Sequence, residues 1–137
     1  MPPPPNRGRH HDLEAILGGL RARYFPDCAE VRIRWGRWGG RARPRSMRFG
    51  AYLPDAQSIR IHPALDQAFV PRYFVEFIVY HELLHRVIPP VRVNGRHQIH
   101  SPAFRRRERE FPAYAEAIAW RQRSLRRLLQ STRRRQA

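Results

Sequence analysis

Lysine is absent from this 137-residue chain, and cysteine occurs once, at Cys28. All 27 basic residues are therefore arginines, and with 11 acidic residues they give a formal net charge of +16. A single cysteine excludes an intrachain disulfide and a cysteine-rich metal site, and it is compatible with a reducing compartment. A field of this sign attracts polyanions such as nucleic acids, although part of the arginine content can reflect codon bias.

A long hydrophobic run is also lacking. The longest apolar stretch, Phe74 to Tyr80, is interrupted by Glu76 and is far too short to span a bilayer. The opening MPPPPNRGRHH has no apolar stretch behind a basic start, so it does not resemble a signal peptide. We therefore expect a cytoplasmic protein that does not insert into a membrane.

The chain length fits one domain with a modest core. We expect residues 1–10 to form a disordered tail rich in proline and arginine, because this composition cannot bury a core. Residues 11–131 are predicted to form the folded domain and residues 132–137 a basic C-terminal tail. We find no internal repeat and no second domain.

Strands are predicted where apolar and polar residues alternate, in EVRIRWGRW, MRFGAYL and SIRIH. Turn residues separate these segments, so we expect a small three-stranded antiparallel meander. The later segment VRVNGRHQIH is interpreted as a loop.

Four helices are predicted from the spacing of apolar residues and from their start and stop signals. Asp12 can cap the first helix, and the second runs from Arg72 to Val87 because Pro89 and Pro90 stop it. Ser101 with Pro102 begins a third helix, and a fourth follows Pro112. Together with the strands, these helices make an α+β domain.

The second predicted helix carries HELLH, the H-E-x-x-H pattern of zinc hydrolases. His81 and His85 are one helical turn apart, so both imidazoles project from one face and can bind one ion. Glu82 is the next residue round the helix, where it can reach a metal-bound water and take its proton. The pattern predicts one zinc ion with Glu82 as the catalytic base.

A catalytic zinc site needs a third protein ligand. The metzincin extension is excluded, because positions 88 and 91 hold Ile88 and Val91 instead of glycine and histidine. The remaining candidates are His97, His100 and a group of downstream glutamates, namely Glu108, Glu110 and Glu116. We favour His100 because it directly precedes the start of the third helix. Glutamates in RRRERE more commonly serve as solvated partners of neighbouring arginines.

Three segments resemble the SprT-like zinc metallopeptidase family. They are Arg37–Trp38–Gly39, the stretch IRIHPALD from Ile59 to Asp66, and HELLH followed by HSPAF from His100 to Phe104. The likeness covers most of the predicted folded part. HExxH combined with the later His-Ser-x-x-Phe is considerably more specific than HExxH alone.

The resemblance implies a zincin-like single domain, in which the small sheet packs on the HExxH active-site helix between N-terminal and C-terminal helices. It implies His81, His85 and His100 as ligands of one Zn²⁺ ion, Glu82 as the base, and a protein or peptide as the substrate. Two positions depart from the family: Gly40 and Arg41 replace its usual Ser-Cys, and His62 replaces its usual asparagine. The chain also has no cysteines for the C-terminal zinc ribbon of many relatives.

Arginines cluster in the loop after the first strand, on the third helix and on the last helix, with Trp35, Trp38 and Trp120 nearby in sequence. Arginines beside aromatic rings can bind phosphates and stack on unpaired bases. The predicted contacts to DNA or RNA are Arg41, Arg43, Arg45, Arg105, Arg106, Arg123 and Arg127.

Two functions fit these patterns best. The first is a zinc-dependent metallopeptidase, for which Arg96, His97 and Tyr114 are oxyanion-stabilising candidates by residue type alone. The alternative is a basic nucleic-acid-binding module with a structural or vestigial zinc site, in which His97 would be a fourth ligand. A zinc hydrolase acting on a non-peptide bond is a weaker third possibility.

Overall fold

The structure is a computed structural model that describes residues 7–28, 30–38 and 48–136, with side chains as far as Thr132. The elements in these ranges are α1 (Leu13–Tyr24), β1 (Arg32–Trp35), β2 (Gly50–Leu53), β3 (Ser58–Ile61), α2 (Arg72–Val87), β4 (Val91–Val93), β5 (Arg96–Gln98), α3 (Pro102–Arg109) and α4 (Tyr114–Gln136). A short 3₁₀ turn, Pro63–Leu65, follows β3. The described residues therefore form an α+β domain with four α-helices and a small main sheet, as the sequence predicts at this level.

The helix boundaries follow local capping. Asp12 accepts a hydrogen bond from the backbone N–H of Ala15 at the start of α1, and Ser101 accepts one from Phe104 at the start of α3. Helix α2 has the predicted bounds, Arg72 to Val87. Each side-chain cap satisfies a backbone donor that the first turn leaves without an intrahelical partner.

The main sheet is mixed, with β3 between β1 and β2. β1 pairs with β3 in parallel, whereas β2 pairs with β3 antiparallel. The predicted antiparallel meander is therefore wrong at β1. A tight turn, in which Gln57 N–H bonds to the Pro54 carbonyl, joins β2 to β3, and β1 pairs with the other edge of β3 although β2 follows β1 in the chain.

Segment 91–98, predicted as a loop, forms the antiparallel β4–β5 hairpin. Its turn residues, Asn94 and Gly95, both have positive φ angles, of 51° and 78°. This is the backbone of a two-residue hairpin turn, for which Asn-Gly is the strongest short-range signal. The hairpin carries the chain from the end of α2 to His100.

Helix α2 is the central element, because α1, β2, β3, α3 and α4 all pack on it. Most of its residues are buried, among them Phe74, Val79 and Leu83. The predicted apolar face of α1 also lies in the core, with Leu13, Ile16, Leu17 and Leu20 buried. The polar residues of α2 therefore lie in a helix that is enclosed on most sides.

At the predicted N-terminal tail, residues 1–6 lie outside the described ranges. The backbone N–H groups of Arg9 and His10 donate to the Asp66 carboxylate at 2.8 Å. At the other end, α4 continues as helix through residues 132–136.

His62, which replaces the asparagine of the resembled family, caps the 3₁₀ turn after β3. The backbone N–H of Ala64 donates to its Nδ1 atom at 2.9 Å.

Candidate metal centre

Three histidines, two from α2 and one from the segment between β5 and α3, converge near the C-terminal end of α2. His81 and His85 lie one turn apart on that helix, with their Nε2 atoms 3.2 Å apart. His100, between β5 and α3, places its Nε2 atom 3.3 Å from that of His85. One ligand atom from each histidine lies within 4.8 Å of the others. The structure thus brings together the three residues that the sequence predicts as ligands.

The spacing of these nitrogens fits a shared metal ion. Zinc–nitrogen bonds of about 2.0–2.1 Å at tetrahedral angles place two ligand nitrogens about 3.3–3.4 Å apart. The two measured separations, 3.2 and 3.3 Å, agree with that value to about 0.1–0.2 Å. The chemistry of the donor set also fits, because imidazole is a common zinc ligand.

The pKa values of the imidazoles suit coordination. Burial, reinforced by the charges of His81 and His100, lowers the pKa of His85 to about 4. Burial is also the largest cause of the lowered pKa of His100. Both rings are therefore neutral near pH 7, which is the form that binds a metal ion.

Phe104 forms the apolar support of the cluster. Its ring centroid lies 5.1 Å from that of His81, 4.6 Å from that of His85 and 4.9 Å from that of His100. The ring is fully buried in the first turn of α3, immediately after the Ser101 cap. This placement explains why a phenylalanine follows His100 at this spacing: one side chain packs against all three imidazoles.

Glu108 of α3 hydrogen-bonds through Oε2 to Nδ1 of His81. Burial acts to raise the Glu108 pKa, but the bond to His81 and nearby positive charge hold that pKa below its ordinary value. A carboxylate on the outer nitrogen of a histidine fixes the ring and leaves Nε2 directed at a metal. The sequence identified Glu108 only as a ligand candidate or a solvated arginine partner, and the second interpretation is wrong here.

The remaining ligand candidates lie elsewhere. His97 is exposed on β5, where it is paired with Arg92. Glu110 is exposed, and its Oε2 atom lies 3.9 Å from Nε of Arg107. Glu116 is exposed in the first turn of α4. Among the described residues, the candidate metal-binding group contains His81, His85 and His100 alone.

Glu82 is a residue of α2 whose side chain lies against Gly50 of β2, and it is only 5% exposed. Its pKa is raised by burial, while His81, Arg48 and a backbone hydrogen bond from Tyr52 act in the opposite direction. Gly50 makes this close approach possible, because a Cβ at this position would lie 3.2 Å from both Cγ and Oε2 of Glu82. A glycine inside a predicted strand is the sequence signal for such an approach.

A cleft of about 730 Å³ contains the three histidines and Glu82. Apolar residues such as Phe77, Ile78 and Ile99 line it, together with Arg48, Arg86 and Arg121. Arg96, His97 and Tyr114, the oxyanion candidates by residue type, do not line this cleft. Tyr114 instead packs edge-on against Phe77. Sequence reasoning missed Arg48 and Arg121, because neither lies near the motif in the chain.

The predicted nucleic-acid contacts have different environments. Arg41, Arg43 and Arg45 lie outside the described residues. The other four are exposed, on α3 and α4, and Arg127 lies over the Phe69 ring at 3.9 Å. Trp120 is buried against Phe74, with ring centroids 4.6 Å apart, so it cannot stack on a base.

The fold and the site together define an α+β domain with a histidine triad that could hold a metal ion. No family model, curated protein or solved structure matched this chain in the three comparisons. Within the described ranges, no helix combines the length and apolar character needed to cross a membrane.

Proposed function

We propose that this protein is a zinc-dependent metallopeptidase in which His81, His85 and His100 hold the ion and Glu82 is the general base. The observation that carries the proposal is the combination of metal-compatible nitrogen spacing with a buried carboxylate on the next residue of the same helix. A site that serves only to stabilise a fold has no need of a base beside its ligands.

A zinc ion bound at this site would lower the pKa of its water to about 7 and polarise the carbonyl under attack. Glu82 accepts the proton of the attacking water and returns it to the leaving amine. Burial raises the pKa of Glu82 above its ordinary value, which favours proton uptake by a group that must both take and release a proton. Glu108 keeps the His81 ring in position throughout.

The cleft is suited to an extended segment of polypeptide. Its apolar lining can take up side chains, while Arg48 and Arg121 add positive charge to the wall of the cleft. The domain is small, and residues of β2, an edge strand of the main sheet, help to line the cleft. We therefore propose an unfolded or flexible protein segment as the substrate.

The alternative, a nucleic-acid-binding module with a structural zinc, requires a fourth protein ligand. His97, the residue that would supply it, lies outside the histidine group. This placement favours the peptidase proposal.

The test pairs zinc content with proteolysis. Wild type, Glu82→Gln and His100→Ala are assayed on a denatured protein and on a DNA-bound protein, and zinc is measured in each preparation. We expect wild type and Glu82→Gln to hold one zinc per chain, with cleavage by wild type alone, and His100→Ala to lose both. A wild type that holds stoichiometric zinc yet is as inert as Glu82→Gln on both substrates would overturn the proposal.

A further inference from the structure

The face of the main sheet that points away from α2 carries arginines in register. Arg34 of β1 lies directly opposite Arg60 of β3. Both are exposed, whereas their strand neighbours Ile33, Ile59 and Ile61 are buried. Like charges opposite one another on paired strands destabilise a sheet. The repulsion between Arg34 and Arg60 therefore does not contribute to the stability of the sheet.

No ion pair among the described residues includes Arg34 or Arg60. All 11 acidic residues lie in the described ranges. The ion pairs there are Arg72–Glu76, His81–Glu108 and Arg107–Glu110, none of which includes an arginine of this face. The exposed guanidinium groups of Arg34 and Arg60 are thus available to an external anion.

The same face forms a cleft of about 830 Å³, separate from the opening onto the histidines. Arg34, Arg37, Arg48 and Arg60 line it, together with Trp38, and no acidic residue is among its described lining. Together these five residues are called the basic sheet face. Trp38 is half-buried, with its ring edge-on to His62 at 5.8 Å.

The basic sheet face is also partly organised in advance. A Cβ at Gly36 would lie 3.2 Å from Cγ and Cδ of Arg60, so this glycine lets the chain after β1 close over the arginine stem. Arg48 Nε donates to the Gly50 carbonyl at 3.2 Å. Contacts of this kind restrict the side chains before a ligand arrives and lower the entropy cost of binding.

We propose that the basic sheet face binds single-stranded nucleic acid. Arginine forks match the geometry of phosphate oxygens, and an aromatic ring among them offers a surface for an unpaired base. An acidic peptide would satisfy the charges but would make no use of the ring. This inference is independent of the proposed peptidase, since neither the histidines nor zinc takes part.

The test is fluorescence anisotropy with a labelled oligo-dT of about 15 nucleotides at about 50 mM and about 200 mM salt. Arg34→Gln/Arg60→Gln is compared with Arg109→Gln/Arg126→Gln, which removes the same charge from exposed positions of α3 and α4 that are not predicted contacts. For the first variant we expect affinity to fall at least about tenfold and the salt slope to decrease by about 1.4, which is two phosphate contacts. The control variant should lose less than about threefold in affinity. Equal losses in the two variants would overturn the proposal, because they would indicate attraction to net charge alone.

Three further measurements make the assignment specific. Trp38→Leu should weaken binding to oligo-dT but not to an abasic oligomer of equal length, and Arg37→Gln should weaken both. Poly-glutamate that competes as well as oligo-dT would overturn the choice of nucleic acid, and so would duplex DNA that binds more tightly than oligo-dT. Relief of the Arg34–Arg60 repulsion should leave the Tm of the double variant equal to or above that of wild type. A lower Tm would contradict the argument.

Discussion

At the scale of single residues, the candidate site depends on two close neighbours, Gly50 and Glu82. Gly50 has no side chain, and this allows β2 to approach helix α2 closely. Glu82 carries a carboxylate that is almost fully buried. Burying an ionisable group costs folding free energy, so Glu82 is a residue retained against stability.

A side chain at Gly50 should be costly. We expect Gly50→Ala to destabilise the protein by about 1–3 kcal/mol, because the added Cβ meets Ile78 Cγ2 at 3.0 Å and Glu82 at 3.2 Å. Chemical unfolding measures the change. Gly18→Ala is the matched control: its Cβ meets nothing within 4 Å, and alanine in a helix should add about 0.5–1 kcal/mol. Equal effects of the two substitutions would contradict this account of Gly50.

Glu82 should make stability depend on pH in a definite direction. Because burial raises its pKa, the folded protein binds this proton more tightly than the unfolded chain does. The resulting stabilisation is complete below the unfolded-state pKa and is lost as the pH rises through the folded-state pKa. In metal-free protein, Glu82→Gln should therefore raise Tm by a few degrees at about pH 7.5, and the difference should shrink towards about pH 4.

Thermal melts across this pH range, in the presence of a chelator, test the expectation. Glu30→Gln, at an exposed position, should follow wild type throughout. A Glu82→Gln protein that is less stable than wild type near neutral pH would show that the ionised carboxylate is well compensated in the fold.

At the scale of elements, helices α2 and α3 both contribute residues to the candidate metal centre. Helix α2 supplies two imidazoles and the carboxylate, while α3 supplies the aromatic support and the partner of His81. The β4–β5 hairpin joins them and leads directly to His100. The site is therefore an interface between two helices, and changes on α3 should affect metal binding without touching a ligand.

Glu108 provides that test. We expect Glu108→Gln to weaken zinc binding about 10- to 100-fold, because His81 loses the charged group that fixes its ring. Competition titration with a chromophoric chelator measures the affinity. Glu110→Gln, two residues away and exposed, should leave the affinity unchanged. Indistinguishable affinities for the two variants would exclude a positioning role for Glu108.

At the scale of the whole molecule, two clefts open on opposite faces of the main sheet, and Arg48 lines both. One cleft contains the histidines and the other the basic sheet face. The chain as a whole carries a formal net charge of +16. Charge of one sign repels itself in the compact state and is screened by salt.

Salt should therefore stabilise this protein. Between about 10 mM and about 0.1 M NaCl the screening length falls from about 30 Å to about 10 Å, and Tm should rise by several degrees. Differential scanning fluorimetry measures the rise. Arg123→Gln/Arg126→Gln, with two fewer positive charges, should show a smaller rise than wild type. A Tm that falls with salt would mean that attractive pairs outweigh the repulsion.

The sequence alone was sufficient for features that depend on neighbours along the chain. The caps at Asp12 and Ser101, the bounds of α2 and the one-turn spacing of His81 and His85 are all local. The Asn94–Gly95 turn is local in the same sense, and the prediction of a loop there is wrong. Short-range hydrogen bonds and sterics determine these features, so the order of residues specifies them.

Only the tertiary structure decided which distant segments meet. The parallel pairing of β1 with β3, the contact of Gly50 with Glu82 and the bond from Glu108 to His81 each join residues far apart in the chain. So does the alignment of Arg34 with Arg60. Pairings of this kind depend on how the whole core packs around α2, and no local propensity encodes them.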